Sequence, residues 1–250
     1  MSLKIVGSST GSKRLPIVAI DGPAGAGKST AARLLAQQLG FIMIDTGALY
    51  RTLALNALER GIALNDEDQL ALLCSALRFQ FGTLEKPHLG ADGLPVIPRL
   101  PIYCNGIDVT DSIRTPELGM AASNVSKLPK VRDALLEVQR VFGREGGIVM
   151  EGRDIGTVIF PDAEVKFYLT ASVESRATRR WEELKAAGIE RELETVIRET
   201  QARDEQDMNR KIAPLRCAEG AQIIDSTAKT LPDVVADMAQ RVRAYLRDAT

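Results

Sequence analysis

The chain has 250 residues, 45% of them hydrophobic, with 32 Lys+Arg against 33 Asp+Glu and a net charge of −1. This length allows one or two domains with a full core, and the balanced charge argues against a generally basic nucleic-acid or membrane-surface protein. Cys74, Cys104 and Cys217 are scattered and odd in number and form no Cys-x-x-Cys, so neither a disulfide framework nor a zinc site is indicated, and a reducing cytoplasm fits.

Taken in chain order, residues 1–15 are rich in Ser, Gly and Lys without the apolar segment of a signal peptide, and they read as a disordered leader. No apolar run approaches the ~20 residues that span a bilayer. Ile17 to Asp21 then reads as a short apolar strand. It is followed by Gly22, Pro23, Ala24, Gly25, Ala26 and Gly27, by Lys28, Ser29 and Thr30, and by a helix from Ala31 to Leu39. The spacing Gly-x-x-x-x-Gly-Lys-Ser between a strand and a helix is the complete phosphate-binding loop pattern. Small residues let successive backbone N–H groups turn inward around an oxyanion, and the helix adds its positive end. Lys28 supplies a mobile charge for a phosphoryl group in transfer, and Ser29 a hydroxyl for Mg²⁺. The pattern predicts a nucleoside triphosphate as ligand.

Phe41 to Ile44 reads as a second buried strand ending at Asp45-Thr46-Gly47, and Ala48 to Arg60 as a helix closed by Gly61. Asn65, followed by three acids, reads as the cap of a helix over Gln69 to Leu77. From Phe79 to Val109 prolines and glycines change the pattern. Asn105-Gly106, between Ile102-Tyr-Cys104 and Ile107-Asp-Val109, predicts a type I′ hairpin. His88, the only histidine, reads as a surface-loop residue beside Pro87. Thr115 and Pro116 start a helix to about Ser126, and Lys130 to Phe142 forms another. Ile148 to Met150 is a strand that leads into the loop Glu151-Gly-Arg-Asp-Ile-Gly156. Val165 to Leu169 is the next strand, followed by a long helix to Ala187 and a charged one from Glu190 to Glu205 that runs on toward Arg210. Ile223 to Asp225 and Leu231 to Arg247 are the last strand and helix.

Five apolar strands joined by helical crossovers predict a doubly wound α/β fold, a five-stranded parallel sheet with its ligand loops at the carboxyl edge. The expected domain is 16–250, with its core over 16–60, 143–170 and 215–250. Residues 61–142, helices plus a small antiparallel β segment, are the expected acceptor-binding subdomain, and 171–210 the expected helical lid.

A phosphate loop alone leaves the reaction open. There is no Asn-Lys-x-Asp guanine-reading motif, and no strand of four apolar residues ends in the Asp-Glu pair of an ATP-driven machine. Arg51, Arg114, Arg132, Arg153, Arg203 and Arg210 recur at predicted loops, as a kinase that gathers several phosphates requires. Arg153 stands out because Gly152-Arg153-Asp154 directly follows a buried strand. Arg203 and Arg210 lie in a segment rich in both charges, where pattern does not separate a ligand contact from a surface ion pair. Asp154 and Asp207 read equally as ion-pair partners that orient these arginines. A nucleoside monophosphate is already anionic, so positioning and charge neutralisation suffice without a general base.

The succession Gly22-Pro-x-Gly-x-Gly-Lys-Ser-Thr30, Asp45-Thr-Gly-Ala-Leu-Tyr-Arg51, Ile113-Arg114-Thr115, Glu151-Gly-Arg-Asp-Ile-Gly-Thr157, Phe160-Pro-Asp-Ala163, Arg203-Asp204 with Asp207-x-Asn-Arg210, and Ile224-Asp-Ser-Thr227 closely resembles the bacterial cytidylate kinases. The likeness runs from about Ile17 onward. It implies transfer of the γ-phosphoryl group of ATP to CMP or dCMP, giving ADP and CDP or dCDP, with Mg²⁺. It also implies that Gly22 to Thr30 hold ATP, that Lys28, Arg153 and Arg210 are catalytic, and that Lys28 with Mg²⁺ neutralises charge on the transferred group. Thr46, Tyr50, Arg51, Ser123, Arg132, Arg153, Asp154, Arg203, Asp207 and Arg210 would line the CMP site. Within it, Ser123, Arg132 and Asp154 would read the base, Asp207 with Arg203 would meet the ribose, and Arg51, Arg153 and Arg210 would hold phosphate. Arg176 and Arg180, one helical turn apart, look like lid residues that close over the ATP phosphates.

Where the family often carries serine after the aspartate, this chain has Thr46, whose added methyl stiffens the side chain and narrows the pocket. Two alternatives stand beside this reading: a kinase of UMP or another small acceptor such as shikimate or dephospho-coenzyme A, and a non-catalytic ATP-binding module. The β insertion and the aspartate–arginine loops favour a pyrimidine monophosphate, and intact Lys28 and Ser29 speak against the module. The expected partners are small nucleotides, with no nucleic acid and no membrane, and the near-neutral charge fits a monomer.

Overall fold

Short apolar runs, each followed by a crossover that buries one helical face, generate a central sheet. The structure, a computed structural model, describes residues 14–85, 88–89, 95–96 and 98–249. Most of the expected leader, residues 1–13, lies outside the described residues, as does Pro87. Arg14 and Leu15 lie within them, and Arg14 pairs with Glu164 at 3.0 Å.

In chain order the elements are β1 (Ile17–Asp21), α1 (Lys28–Leu39), β2 (Ile42–Asp45), α2 (Thr46–Glu59), α3 (Glu67–Ala76), β3 (Phe79–Phe81), β4 (His88–Leu89), β5 (Pro95–Val96), β6 (Ile102–Cys104), β7 (Ile107–Asp108), α4 (Pro116–Val125), α5 (Pro129–Gly143), β8 (Ile148–Glu151), β9 (Val165–Thr170), α6 (Val173–Ala186), α7 (Leu193–Asn209), β10 (Gln222–Asp225) and α8 (Leu231–Asp248). A 3₁₀ turn spans Ser112–Arg114, and a π-helical turn spans Ile155–Ile159.

The main sheet is parallel in the order β10-β9-β1-β8-β2, as the doubly wound expectation requires. β1 is central, with Ile17 opposite Ile148 and Val18 opposite Val165, and all five of its residues are buried. A strand covered on both faces must be apolar throughout, which is why β1 is a continuous apolar run and not an alternating one. Leu35 of α1 and Val234 and Met238 of α8 pack on one face. Ile44, Met150 and Ile155 form the core on the other, with Leu136 and Phe142 of α5 against them.

The chain between β2 and β8 has its own core, built on Leu53, Leu70, Ile102, Ile113 and Leu135. It contains the three-stranded antiparallel sheet β3-β6-β7. The hairpin forms as expected: Cys104 pairs with Ile107, and Asn105 and Gly106 have φ of 51° and 82°, the positive values that a type I′ turn demands. α6 and α7 pack on each other through a small separate cluster of Ala177, Leu184 and Val196.

Several boundaries differ from expectation. α1 begins at Lys28, so Lys28, Ser29 and Thr30 form its first turn and present their backbone N–H groups to the loop. Asp66, not Asn65, caps α3, its carboxylate accepting from the Gln69 N–H at 3.0 Å. α7 begins only at Leu193. His88 is exposed at the edge of a two-stranded pair. Among the described residues no helix is long and apolar enough to cross a membrane.

Candidate active site

The carboxyl ends of β1, β2 and β8 meet at one cleft, and each ends in a buried carboxylate: Asp21, Asp45 and Glu151. After Asp21 the chain turns sharply. Gly22 has φ 145°, and a Cβ there would lie 1.9 Å from the Leu169 carbonyl oxygen, so only glycine lets the loop leave β1 beside β9. The Lys28 ammonium is buried and donates to the Pro23 carbonyl at 2.7 Å, spanning the loop. Burial lowers its pKa, Arg153 lowers it further, and Glu151 opposes both. The Ser29 hydroxyl donates to Glu151 Oε1 at 2.5 Å. Burial, then the neighbouring Asp45, raise the Glu151 pKa. Asp21 accepts the backbone N–H groups of Ile155 and Gly156, both at 2.7 Å, and so holds the π turn against the phosphate loop.

Across the cleft, arginines and carboxylates alternate. Asp45 caps α2 through the Ala48 N–H at 3.0 Å and pairs with Arg51 at 2.9 Å and Arg114 at 3.2 Å. These contacts outweigh burial and hold its carboxyl below the usual range. Asp154 pairs with buried Arg132 and, at 3.4 Å, with Arg210. Arg132 also lies over the Tyr50 ring, 5.9 Å from its centroid, and burial pushes the Tyr50 phenol up to about 12. Arg153 donates from Nε to Asp207 at 2.8 Å, and Arg210 donates to the Ala213 carbonyl at 2.5 Å. Arg203 lies exposed one turn before Asp207. Ser123 on α4 accepts a hydrogen bond from Gln206 Nε2 on α7 at 2.6 Å.

Two expected residues are placed differently from their expected surroundings. The Thr46 hydroxyl is buried and donates to the Glu151 carbonyl at 2.8 Å, so it ties α2 to β8. Arg176 is only 3% exposed; it pairs with Asp204 at 2.5 Å and donates to the Ala24 carbonyl at 3.0 Å and the Ala171 carbonyl at 3.0 Å. Its whole guanidinium is committed to joining the phosphate loop to α7. Arg180, by contrast, is half exposed and pairs with Glu183 at 3.0 Å.

The cleft thus combines a phosphate loop with a ring of guanidinium groups held open by carboxylates. The family model for cytidylate kinase matches residues 18–244. The chain belongs to the cytidylate kinase family. The cytidylate kinase of Geobacter sulfurreducens is 49% identical to it over 235 residues, covering 94% of this chain and 96% of that protein. The cytidylate kinase of Vibrio cholerae is 44% identical over 238 residues, covering 94% and 99%. This cytidylate kinase family member is an ATP-dependent kinase that phosphorylates CMP or dCMP, as the sequence resemblance implied.

Sequence reasoning gave no separate role to Asp21, Asp45, Glu151, Asp204 or Gln206. The first three share one signal: each is the only acid in, and the last residue of, an apolar strand that leads into a ligand loop. Asp204 and Gln206 sit in a helix crowded with charge and carry no comparable signal.

Proposed function

We propose that the two half-sites hold ATP and the cytidine monophosphate on either side of the loop that follows β8, and that this loop aligns them for direct transfer. The observation that carries the reading is the spacing within that loop. Glu151 engages Ser29 of the phosphate loop at 2.5 Å, while Arg153, two residues on, engages Asp207 of α7 at 2.8 Å. One rigid strand end therefore sets the distance between donor and acceptor, which is the positional control that phosphoryl transfer needs.

Gly22 to Thr30 bind the ATP phosphates with backbone N–H groups, and Lys28 leaves the Pro23 carbonyl to follow the γ-phosphoryl group. Arg51, Arg153 and Arg210 hold the acceptor phosphate, Arg203 with Asp207 the ribose, and Ser123, Arg132 and Asp154 the base. An oxygen of that phosphate attacks the γ-phosphorus, the bond to the β–γ bridging oxygen breaks, and ADP leaves. The acceptor is already anionic, so no side chain need take a proton.

The Ser29 hydroxyl and the Glu151 carboxylate are hard oxygen donors suited to Mg²⁺, and among the described residues no group of three or more His, Cys, Asp or Glu gathers as a metal cage. That donor set fits an ion carried mainly by ATP phosphates, which when bound neutralises charge on the transferring group. Residues 61–142 form the acceptor-binding region and 171–210 a lid, in which Arg180 reaches the ATP phosphates and Arg176 serves as the anchor. Unpaired Cys74, Cys104 and Cys217 support a cytoplasmic setting, and the near-neutral charge supports a monomer acting on free nucleotides.

A coupled ADP-release assay with MgATP and CMP, dCMP, UMP, AMP or shikimate tests this reading. Turnover with CMP and dCMP well above the others is expected. A preference for UMP or shikimate would keep the phosphate loop but overturn the assignment of the base contacts.

A further inference from the structure

We propose that Ser226 is a positioning residue for the phosphate loop: oriented by Arg179, its hydroxyl fixes the peptide plane between Ala26 and Gly27 and so aims the Gly27 N–H at the ATP phosphates. The inference rests on the reading of Gly22 to Thr30 as the ATP site. Ser226 directly follows β10, 200 residues beyond Ala26 in the chain, in the stretch Ile224-Asp-Ser-Thr227 that takes no part in the nucleotide contacts. It is buried, and its backbone and its hydroxyl are both engaged. Its N–H donates to the Thr170 carbonyl at 2.8 Å, and its carbonyl accepts from Arg179 Nη2 at 2.6 Å. Its Oγ accepts from Arg179 Nη1 at 3.2 Å and donates to the Ala26 carbonyl at 3.2 Å. The next residue is tied down as well, because Thr227 Oγ1 accepts the Ser172 N–H at 2.9 Å.

A loop that cradles phosphate must turn its N–H groups inward and its carbonyl oxygens outward, since an inward carbonyl repels the anion. Small residues alone do not make that choice. Gly25 and Gly27 have φ of 75° and 87°, where glycine moves without a side-chain penalty, so the peptide planes that precede them can swing. Across a planar trans peptide, the C=O of one residue and the N–H of the next point in opposite directions. Holding the Ala26 carbonyl toward Ser226 therefore turns the Gly27 N–H away from it, into the cradle. Arg176 does the same for Ala24 and Gly25 from α6, but it is also the buried partner of Asp204. Arg179 sets the direction of the Ser226 hydroxyl. A guanidinium has only donors, so once it occupies one lone pair of Oγ the proton is left for Ala26.

The test uses the full chain, labelled with ¹⁵N-glycine, and steady-state kinetics with MgATP and CMP in the wild type, Ser226→Ala and Arg179→Met. When ATP is added to the wild type, the Gly27 amide proton should move downfield, as a hydrogen bond to an anion requires. In Ser226→Ala that displacement should shrink. KM for ATP should rise about two- to tenfold, the effect of one lost neutral hydrogen bond, with KM for CMP changed by less than about twofold. Arg179→Met leaves the hydroxyl free to rotate, and a smaller rise in KM for ATP, about two- to threefold, is expected. A merely structural role would raise both KM values together, or lower kcat alone, and leave the Gly27 displacement as in the wild type; that result overturns the proposal. An unchanged KM for ATP in Ser226→Ala overturns it too, while the ATP site stands. If ATP leaves the Gly27 amide of the wild type unmoved, the reading of the ATP site itself falls, and the inference with it. Should Ser226→Ala not fold, Arg179→Met decides: an unchanged KM for ATP there overturns the proposal.

Discussion

Asp21 is a carboxylate with 2% of its surface exposed, and burial pushes its pKa up to about 6 despite the two backbone N–H groups it accepts. Asp154 raises it further and Lys28 lowers it. The raised value means that the native state binds a proton, between about pH 4 and about pH 6, which the unfolded chain has already lost. This term therefore lowers stability as pH rises through that window and is constant above it; its size is about 3 kcal/mol. Asp21→Asn removes the titration. In denaturant melts the variant should gain on the wild type from pH 4 to pH 6 and hold a steady difference above; a difference independent of pH would show that Asp21 ionises normally. Lys28→Ala is a second test at this scale. It should cut kcat about 10²- to 10³-fold, as the loss of one preorganised charge does, with the fold retained; a wild-type rate would remove Lys28 from the chemistry. Lys28 was legible in the sequence because its motif is local, complete within eight residues. Asp21 was not, because its partners Ile155 and Gly156 lie more than 130 residues away and nothing in a strand-end acid announces them.

The helix pair α6–α7 shows what legibility means for an element. Both helices were readable in the sequence, but the spacing of Arg176 and Arg180 says only that they share a face. The structure separates them by depth: Arg176 is sealed between Asp204 and the phosphate-loop carbonyl of Ala24, whereas Arg180 is half exposed. Removing one member of a buried, fully bonded ion pair strands the other charge, so Asp204→Ala should cost about 3–5 kcal/mol in urea unfolding. Arg180→Ala, which breaks only an exposed i,i+3 pair, should stay within about 0.5 kcal/mol of wild type while lowering phosphoryl transfer. Equal costs for the two variants would contradict the division between anchor and lid. The π turn at Ile155–Ile159 was missed for a related reason. It forms where Asp21 captures two N–H groups that a regular loop would leave to water, a tertiary cause that local pattern does not contain. The cap of α3 was missed by one residue because Asn65 and Asp66 are both good caps, and only the geometry of the Gln69 N–H chooses between them.

At the scale of the molecule, apolar packing is divided unequally. The sheet is sandwiched by Leu35, Val234 and Met238 on one face and Ile44, Met150 and Ile155 on the other, and the inserted region has its own core around Leu53 and Leu135. α6 and α7 share only the small cluster of Ala177, Leu184 and Val196. The bonds from this pair to the other bodies that bear on the cleft are polar: Arg176 to the Ala24 carbonyl, Asp207 to Arg153 and Gln206 to Ser123. Polar ties can be exchanged for ligand contacts without tearing an apolar interface, which suits a segment that opens and closes. Hydrogen exchange measures this directly. Amides of α6 and α7 should exchange faster than those of β1 or α1 without nucleotide, because few buried apolar contacts oppose local opening. Each nucleotide alone engages one side of the α7 ties, so ATP and CMP together should slow exchange in α6–α7 by more than the product of their separate effects. Exchange in these helices that ignores the nucleotide pair would mean that α6–α7 is a fixed wall of the cleft, and the arginines on it would then act from permanent positions.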